Sequence, residues 1–310
     1  MQHLTSRRHF LSRAGCTLTG LGLTAGTLAA IEPWRRPGRP RLGLSLAAYS
    51  FRDDFKDSSP GAANGTSAKR LDMFQFVDYC ADHGCDGAEV TSYYFPADAG
   101  DDYFLRLRRQ AFLRGIALSG TAVGNDFTQS DAQKQKEQIA QVKKWVDRAA
   151  IMGAPHIRIF AGNGRGLTKA EAQKLAIAAI EEAADYAGRK GIMLGLENHG
   201  GIVADAEDLL DIVRAVKSPW FGVNLDTGNF HSDDPYRDLA QVAPYAVNVQ
   251  FKVEIQKRGQ QPEAADLGRV VKLLREANYQ GYVALEYEAA PDPWREVPRV
   301  LQRLKQALAA

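Results

Sequence analysis

The chain has 310 residues, with 45% hydrophobic and 25% charged content, the balance of a soluble globular protein with room for one large or two modest domains. Its formal net charge of +2 includes Arg7, Arg8 and Arg13; without them, 36 of the 39 basic residues face 37 acidic ones, and this near-neutrality argues against a nucleic-acid or anionic-membrane binder. Of three cysteines, only Cys80 and Cys85 lie beyond the first thirty residues, with no CxxC spacing, so neither a thiolate metal site nor a disulfide framework is expected; a single Cys80–Cys85 bridge stays open in an oxidising compartment.

In chain order, residues 1–30 come first, with "SRRHFLSRAGCTLTGLGLTAGTLAA". Paired arginines, then Phe10 and Leu11, then a weakly apolar run ending in small residues, resemble a twin-arginine export signal. The run is broken by Thr and Gly and falls short of the roughly 20 apolar residues of a membrane span. Arg13 stands where a lipidation motif around Cys16 would want a small or apolar residue. The resemblance implies passage through the twin-arginine translocase, already folded, into the periplasm; the plain alternative is a basic tail. A Pro/Arg-rich linker, residues 31–41, follows.

Short apolar segments then recur near 43–49, 86–91, 116–122, 155–160, 192–197, 221–226, 246–252 and 282–287. Helical patterns separate them, among them "DMFQFVDYCADHG", "KQKEQIAQVKKWVDRAAIMG", "KAEAQKLAIAAIEEAADYAGRKG", "DAEDLLDIVRAV" and "LGRVVKLLREANYQG". Several end in Gly, as helix C-termini favour. Alternating strands and helices predict βαβ units, and eight of them predict a single-domain α/β fold, a (β/α)8 TIM barrel over 42–310. The competitor, a doubly wound sheet, wants a glycine fingerprint after its first strand, and "AAYSFRDDF" has none.

A barrel collects functional groups at the C-terminal ends of its strands. The second segment carries Glu89, the fifth Glu197, the sixth Asp226, the seventh Gln250 and Lys252, and the eighth Glu286. Any one of these acids alone reads as a helix cap or a solvated loop residue. Several together at one mouth would repel unless a positive charge sits among them. A divalent metal meets that demand, and an all-oxygen set suits Mn²⁺ or Mg²⁺, with Co²⁺ or Zn²⁺ as alternatives.

The motifs "GAEVTSYYFP", "IRIFAGN", "LGLENHGG", "VNLDTGNF", "VQFK" and "ALEYE", in this order, resemble the xylose isomerase-like superfamily, the sugar phosphate isomerase/epimerase group, over about residues 42–305. That resemblance implies a metal held by Glu197, Asp226, Gln250 and Glu286, with Gln250 in place of the usual His and Asn229 where many members have a second His. It implies Glu197 and Glu286 as an acid/base pair working through an enediolate, Lys252 as a partner for the oxyanion, and His199 as a hydroxyl-orienting or acid/base group. Glu89, Asn125 and His156 are expected as substrate contacts, although His156 also reads as a core histidine, and His231 as a rim residue. Tyr93, Tyr94 and Phe95 read equally as an apolar wall for a sugar ring or as a packed loop anchor.

The expected activity is isomerisation or epimerisation of an unphosphorylated carbohydrate or keto-sugar, since export and the lack of a Gly-rich phosphate cradle argue against sugar phosphates. A lyase or dehydratase acting on an inosose or 3-keto-glycoside is the alternative within the same site. The non-enzymatic alternative is a periplasmic carbohydrate-binding barrel. An endonuclease IV-like reading fits poorly, because only His83, His156, His199 and His231 lie beyond residue 30. The expected partner is a small-molecule carbohydrate, with no nucleic acid; a homo-oligomer is left open.

Overall fold

The computed structural model describes residues 31–57 and 70–310; the export signal read in residues 1–30 lies outside them. Eight parallel strands, Leu42–Ala47, Gly87–Thr91, Ala117–Ala122, His156–Ile159, Met193–Glu197, Phe221–Asp226, Ala246–Phe251 and Gly281–Leu285, form a closed barrel. The first strand closes on the last, with Leu42 opposite Gly281 and Leu46 opposite Leu285. Helices α1 (Met73–Asp82), α2 (Asp101–Leu113), α3 (Ala132–Met152), α4 (Lys169–Arg189), α5 (Ala206–Ala215), α6 (Pro235–Val242), α7 (Leu267–Glu276) and α8 (Pro293–Ala309) connect them. A (β/α)8 TIM barrel is therefore the observed fold, and the doubly wound alternative falls away. None of these helices is long and apolar enough to cross a membrane.

Local chemistry sets the helix starts. Asp72 with Gln75, and Thr168 with Glu171, form capping boxes that satisfy the free N–H groups opening α1 and α4. The apolar faces then pack onto the barrel exterior. On α4 that face is Ala172, Ala176, Ala179, Ala183, Ala184 and Ala187 around Ile180, so the helix axis approaches the strands closely. Cys80 and Cys85 are buried in this layer as free thiols, not as a bridge.

The strands alternate between that apolar exterior and a polar interior. Leu44, Leu46, Val90, Ile157, Ile159, Leu194, Leu196, Val223 and Leu225 are buried, and between them lie buried Ser45, Glu89, His156, Arg158, Asn224 and Asn248. Pairing register slips at Ala88/Glu89 and at Val223/Asn224, two irregularities that re-aim side chains on strands feeding the mouth.

Gly120 is where the interior is tightest, since a Cβ there would collide with the His156 ring. Gly120→Ala is expected to destabilise by about 1–3 kcal/mol through overpacking. Thermal unfolding checks this, and a melting temperature equal to the parent's would refute the steric account.

Candidate active site

Two layers of polar side chains fill the C-terminal half of the barrel. The lower is a closed ring of hydrogen bonds. Gln250 Nε2 donates to Glu89 Oε1 and Asn248 Nδ2 to Glu89 Oε2, each at 2.7 Å. Asn248 Nδ2 also donates to Asn224 Oδ1 at 2.8 Å, and Asn224 Nδ2 returns to Gln250 Oε1 at 2.7 Å. Glu89 sits on the second strand, which does not neighbour the sixth or the seventh, so the ring spans the lumen. Burial and the nearby charge of Glu286 push the Glu89 carboxyl up to about 7 against the pull of its two amide donors. His156 Nε2 lies 3.9 Å from Glu89 Oε2, and burial lowers that ring to about 4, so it is neutral at physiological pH.

The upper layer carries the charges. Arg158 Nε lies 2.9 Å from Glu197 Oε2, and Asn229 Nδ2 donates to Glu197 Oε1 at 3.0 Å. The guanidinium also sits over the Phe160 ring at 4.0 Å, a cation–π contact on its apolar side. Lys252 Nζ lies 3.3 Å from Asp226 Oδ2 and 3.2 Å from Glu286 Oε1, and it also pairs with Glu288. Glu197, Asp226, Glu286, Arg158 and Lys252 are all buried. Burial raises the Glu197 and Asp226 carboxyls, while Arg158 pulls the first and Lys252 the second back down. Burial alone would lower Lys252, but Asp226, Glu286 and Glu288 outweigh it and hold the ammonium well above its ordinary value.

These groups are held by backbone clamps at the strand ends. Asn198, directly after Glu197, accepts from the Asp226 N–H and donates to the Asp226 carbonyl, both at 2.9 Å. Its amide thereby locks the ends of the fifth and sixth strands together. Thr227 Oγ1 accepts from the Lys252 N–H at 2.9 Å. Ser50 Oγ accepts from the Tyr287 N–H at 2.9 Å and donates to the Leu285 carbonyl at 3.1 Å, bracketing Glu286. Asn198→Ala leaves both Asp226 backbone groups buried without partners. The expected loss is about 2–6 kcal/mol, from ~1–3 kcal/mol for each of the two unmet groups. Chemical denaturation measures it, and an unchanged midpoint would show the clamp to be dispensable.

Glu197, Asp226, Lys252 and Glu286 thus come together, with Gln250 and Glu89 one layer below and His156 beside Glu89. His199 and Asn125 lie to one side, lining with Glu197, Phe160, Gly162 and Asn163 a cavity of about 200 Å³. The His199 ring packs 4.5 Å from that of Phe160. The Asn125 carboxamide bridges strand ends, accepting from the Phe160 N–H at 3.0 Å and donating to its carbonyl at 2.8 Å. His231 lines a second cavity of about 150 Å³ with Lys252, Asn229 and Glu288. Of the aromatic run, Tyr94 and Phe95 are loop anchors: Tyr94 stacks on Phe55 at 4.4 Å and Phe95 meets Phe104 and Trp145. Only Tyr93 reaches the site, 3.5 Å from Arg158 Nη1.

Sequence reasoning did not single out Arg158, Asn224, Asn248 or Glu288. The signal for Arg158 was a lone cation inside the apolar segment "HIRIF"; for Asn224 and Asn248, amides two residues before Asp226 and Gln250 on the same strand face.

The donor set does not fit the divalent metal that the resemblance implies. Gln250, the seventh-strand ligand in that scheme, has its oxygen accepting from Asn224 and its nitrogen donating to Glu89. Asp226 and Glu286 face the same ammonium. Among the described residues, no three His, Cys, Asp or Glu side chains are placed to hold a metal ion.

Solved structures with the same fold include a xylose isomerase domain protein from Planctomyces limnophilus, 17% identical with TM-score 0.65 over 88% of this chain and 99% of that one. Another is a 3-keto-D-glucoside 4-epimerase from E. coli, 15% identical with TM-score 0.63 over 86% and 100%. A third is a D-psicose 3-epimerase from Clostridium cellulolyticum H10, 17% identical with TM-score 0.66 over 86% and 96%. No curated protein matches the sequence. The family model for the xylose isomerase-like TIM barrel matches residues 77–304, most of the barrel and every acidic residue of its mouth, and the chain belongs to that family.

Proposed function

We propose that the protein is a carbohydrate-modifying enzyme that removes the proton next to a carbonyl in an unphosphorylated sugar, keto-sugar or inositol derivative. The observation that carries this reading is the meeting of Glu197, Asp226 and Glu286 with Lys252 and Arg158, all buried at the open ends of the strands. Glu197 accepts the α-proton. The C–H electron pair becomes a C=C bond, and the carbonyl π pair moves to oxygen as an enediolate. Lys252, already facing Asp226 and Glu286, is the cation nearest to hand for that oxyanion. Glu286 Oε2, buried and without a hydrogen bond, belongs to a carboxyl that faces the ammonium; after taking up a proton from solvent, Glu286 is the group that returns one to carbon.

Return to the same carbon from the opposite face gives an epimer, and return to the neighbouring carbon gives an isomer. The family membership and the epimerases among the structural neighbours support this class of chemistry. We further propose a periplasmic location, on the strength of the twin-arginine pattern in residues 1–30.

The test is to incubate the protein with free ketoses, inososes and 3-keto-glycosides in D2O and follow them by NMR. Deuterium at an α-carbon, with or without a new isomer, is the expected result. Tight sugar binding with no exchange anywhere in the panel would make the barrel a binding protein and sink the enzymatic reading.

A further inference from the structure

We propose that this site runs without a resident metal, because the Lys252 ammonium holds the place between Asp226 and Glu286 that a divalent cation would take. The inference deepens the reading above and rests on it for the chemistry, while its test is the binding of metal, which is decided whatever the substrate.

Three observations support it independently. First, Lys252 is built in. Its N–H is bonded to buried Thr227 Oγ1, its ammonium contacts three carboxylates, and its stem lies against Gly228, where a Cβ would come within 2.7 Å of Lys252 Cγ. A surface lysine that drifts over a mouth has no such seat. Second, two of the three carboxylates already have partners at both oxygens. Both Glu197 oxygens are engaged, one by Arg158 and one by Asn229, and Asp226 Oδ1 accepts from the Gly228 N–H at 2.8 Å while Oδ2 faces Lys252. Third, Gln250 is turned into the lower ring with both ends of its amide in use. Bringing its oxygen up to a metal would break that ring and leave Glu89 and Asn224 each short of a partner in the barrel interior.

A metal entering here would meet like charge on two sides. A buried ammonium and a buried guanidinium are a strong deterrent to a divalent ion, and the same two groups supply the charge that it would bring. Arg158 cannot give up its proton to make way.

The experiment strips the full chain of metal with a chelator and titrates it with Mn²⁺, following the free-ion signal by electron paramagnetic resonance and the melting curve in parallel. The parent protein is expected to leave both unchanged at millimolar Mn²⁺. One Mn²⁺ taken up below millimolar concentration, with a rise in melting temperature, would overturn the proposal. A Gln250→His/Lys252→Met double variant provides the converse. It removes the ammonium and supplies an imidazole, and uptake of one Mn²⁺ by that variant alone supports Lys252 as the occupant. On any substrate the NMR panel identifies, exchange by the chelated parent within about twofold of the untreated rate supports the proposal. A loss of tenfold or more that Mn²⁺ restores refutes it. A panel without any substrate would remove the functional reading and leave the titration to decide this one.

Discussion

Glu197→Gln is expected to slow deuterium incorporation by about 10²–10⁴-fold, the usual worth of a positioned base. The glutamine keeps the shape of the side chain and an oxygen for Asn229, but it offers no lone pair basic enough to take a carbon-bound proton. The loss should fall on kcat with KM little changed, since the proton is in flight only in the transition state. Melting temperature is the control for folding. A variant as active as the parent would mean that Glu197 is not the base, and Glu286 would be the next to test.

Lys252→Met is expected to do damage of two kinds. Met fills much the same volume along the Gly228 seat but leaves Asp226, Glu286 and Glu288 without their shared cation. Breaking a buried pair by removing one partner costs about 3–5 kcal/mol. Exchange should fall by about 10²–10³-fold if the ammonium meets the oxyanion. Lys252→Arg separates the two effects. It keeps the positive charge and most of the stability, but its planar fork cannot sit between two carboxylates as a point charge does. Recovery of stability without recovery of rate is the expected pattern. Full activity in Lys252→Met would remove the lysine from the chemistry and make Arg158, paired with Glu197, the next cation to test.

Much of this was legible in the sequence because a barrel writes its mouth as a charged residue at the end of an apolar run. Glu197 and Asp226 were found in that way, and their strands end on them. Glu286 was found too, although the eighth strand ends one residue earlier, at Leu285. Arg158 was harder, because a cation in the middle of "HIRIF" looks like an exposed residue on an edge strand until the strand is known to be buried on both faces. Gln250 illustrates a different limit. Its position on the strand was read correctly, but what its amide does depends on Asn224 and Glu89, which reach it from other strands. The pairing of Lys252 with Asp226 and Glu286 is likewise a relation among three strands that no local pattern carries. Helix α2 left a weak signal because Leu105, Phe112 and Leu113 are exposed, which blurs its buried stripe of Phe104, Leu107 and Ala111.

The Pro/Arg-rich stretch read as a linker is in fact fastened down. The Trp34 N–H donates to the Pro244 carbonyl at 3.0 Å and its indole to the Tyr245 carbonyl at 3.1 Å. Asn278 and Gln280 donate to the carbonyls of Arg36 and Pro37, both at 2.7 Å. All these partners stand just ahead of the seventh and eighth strands, at the pole of the barrel facing away from the acids. A purification handle, a surface anchor or a fused fluorescent reporter joined ahead of position 31 would therefore emerge behind the molecule. Immobilised by that end, the protein would keep its entrance turned toward the bulk solution.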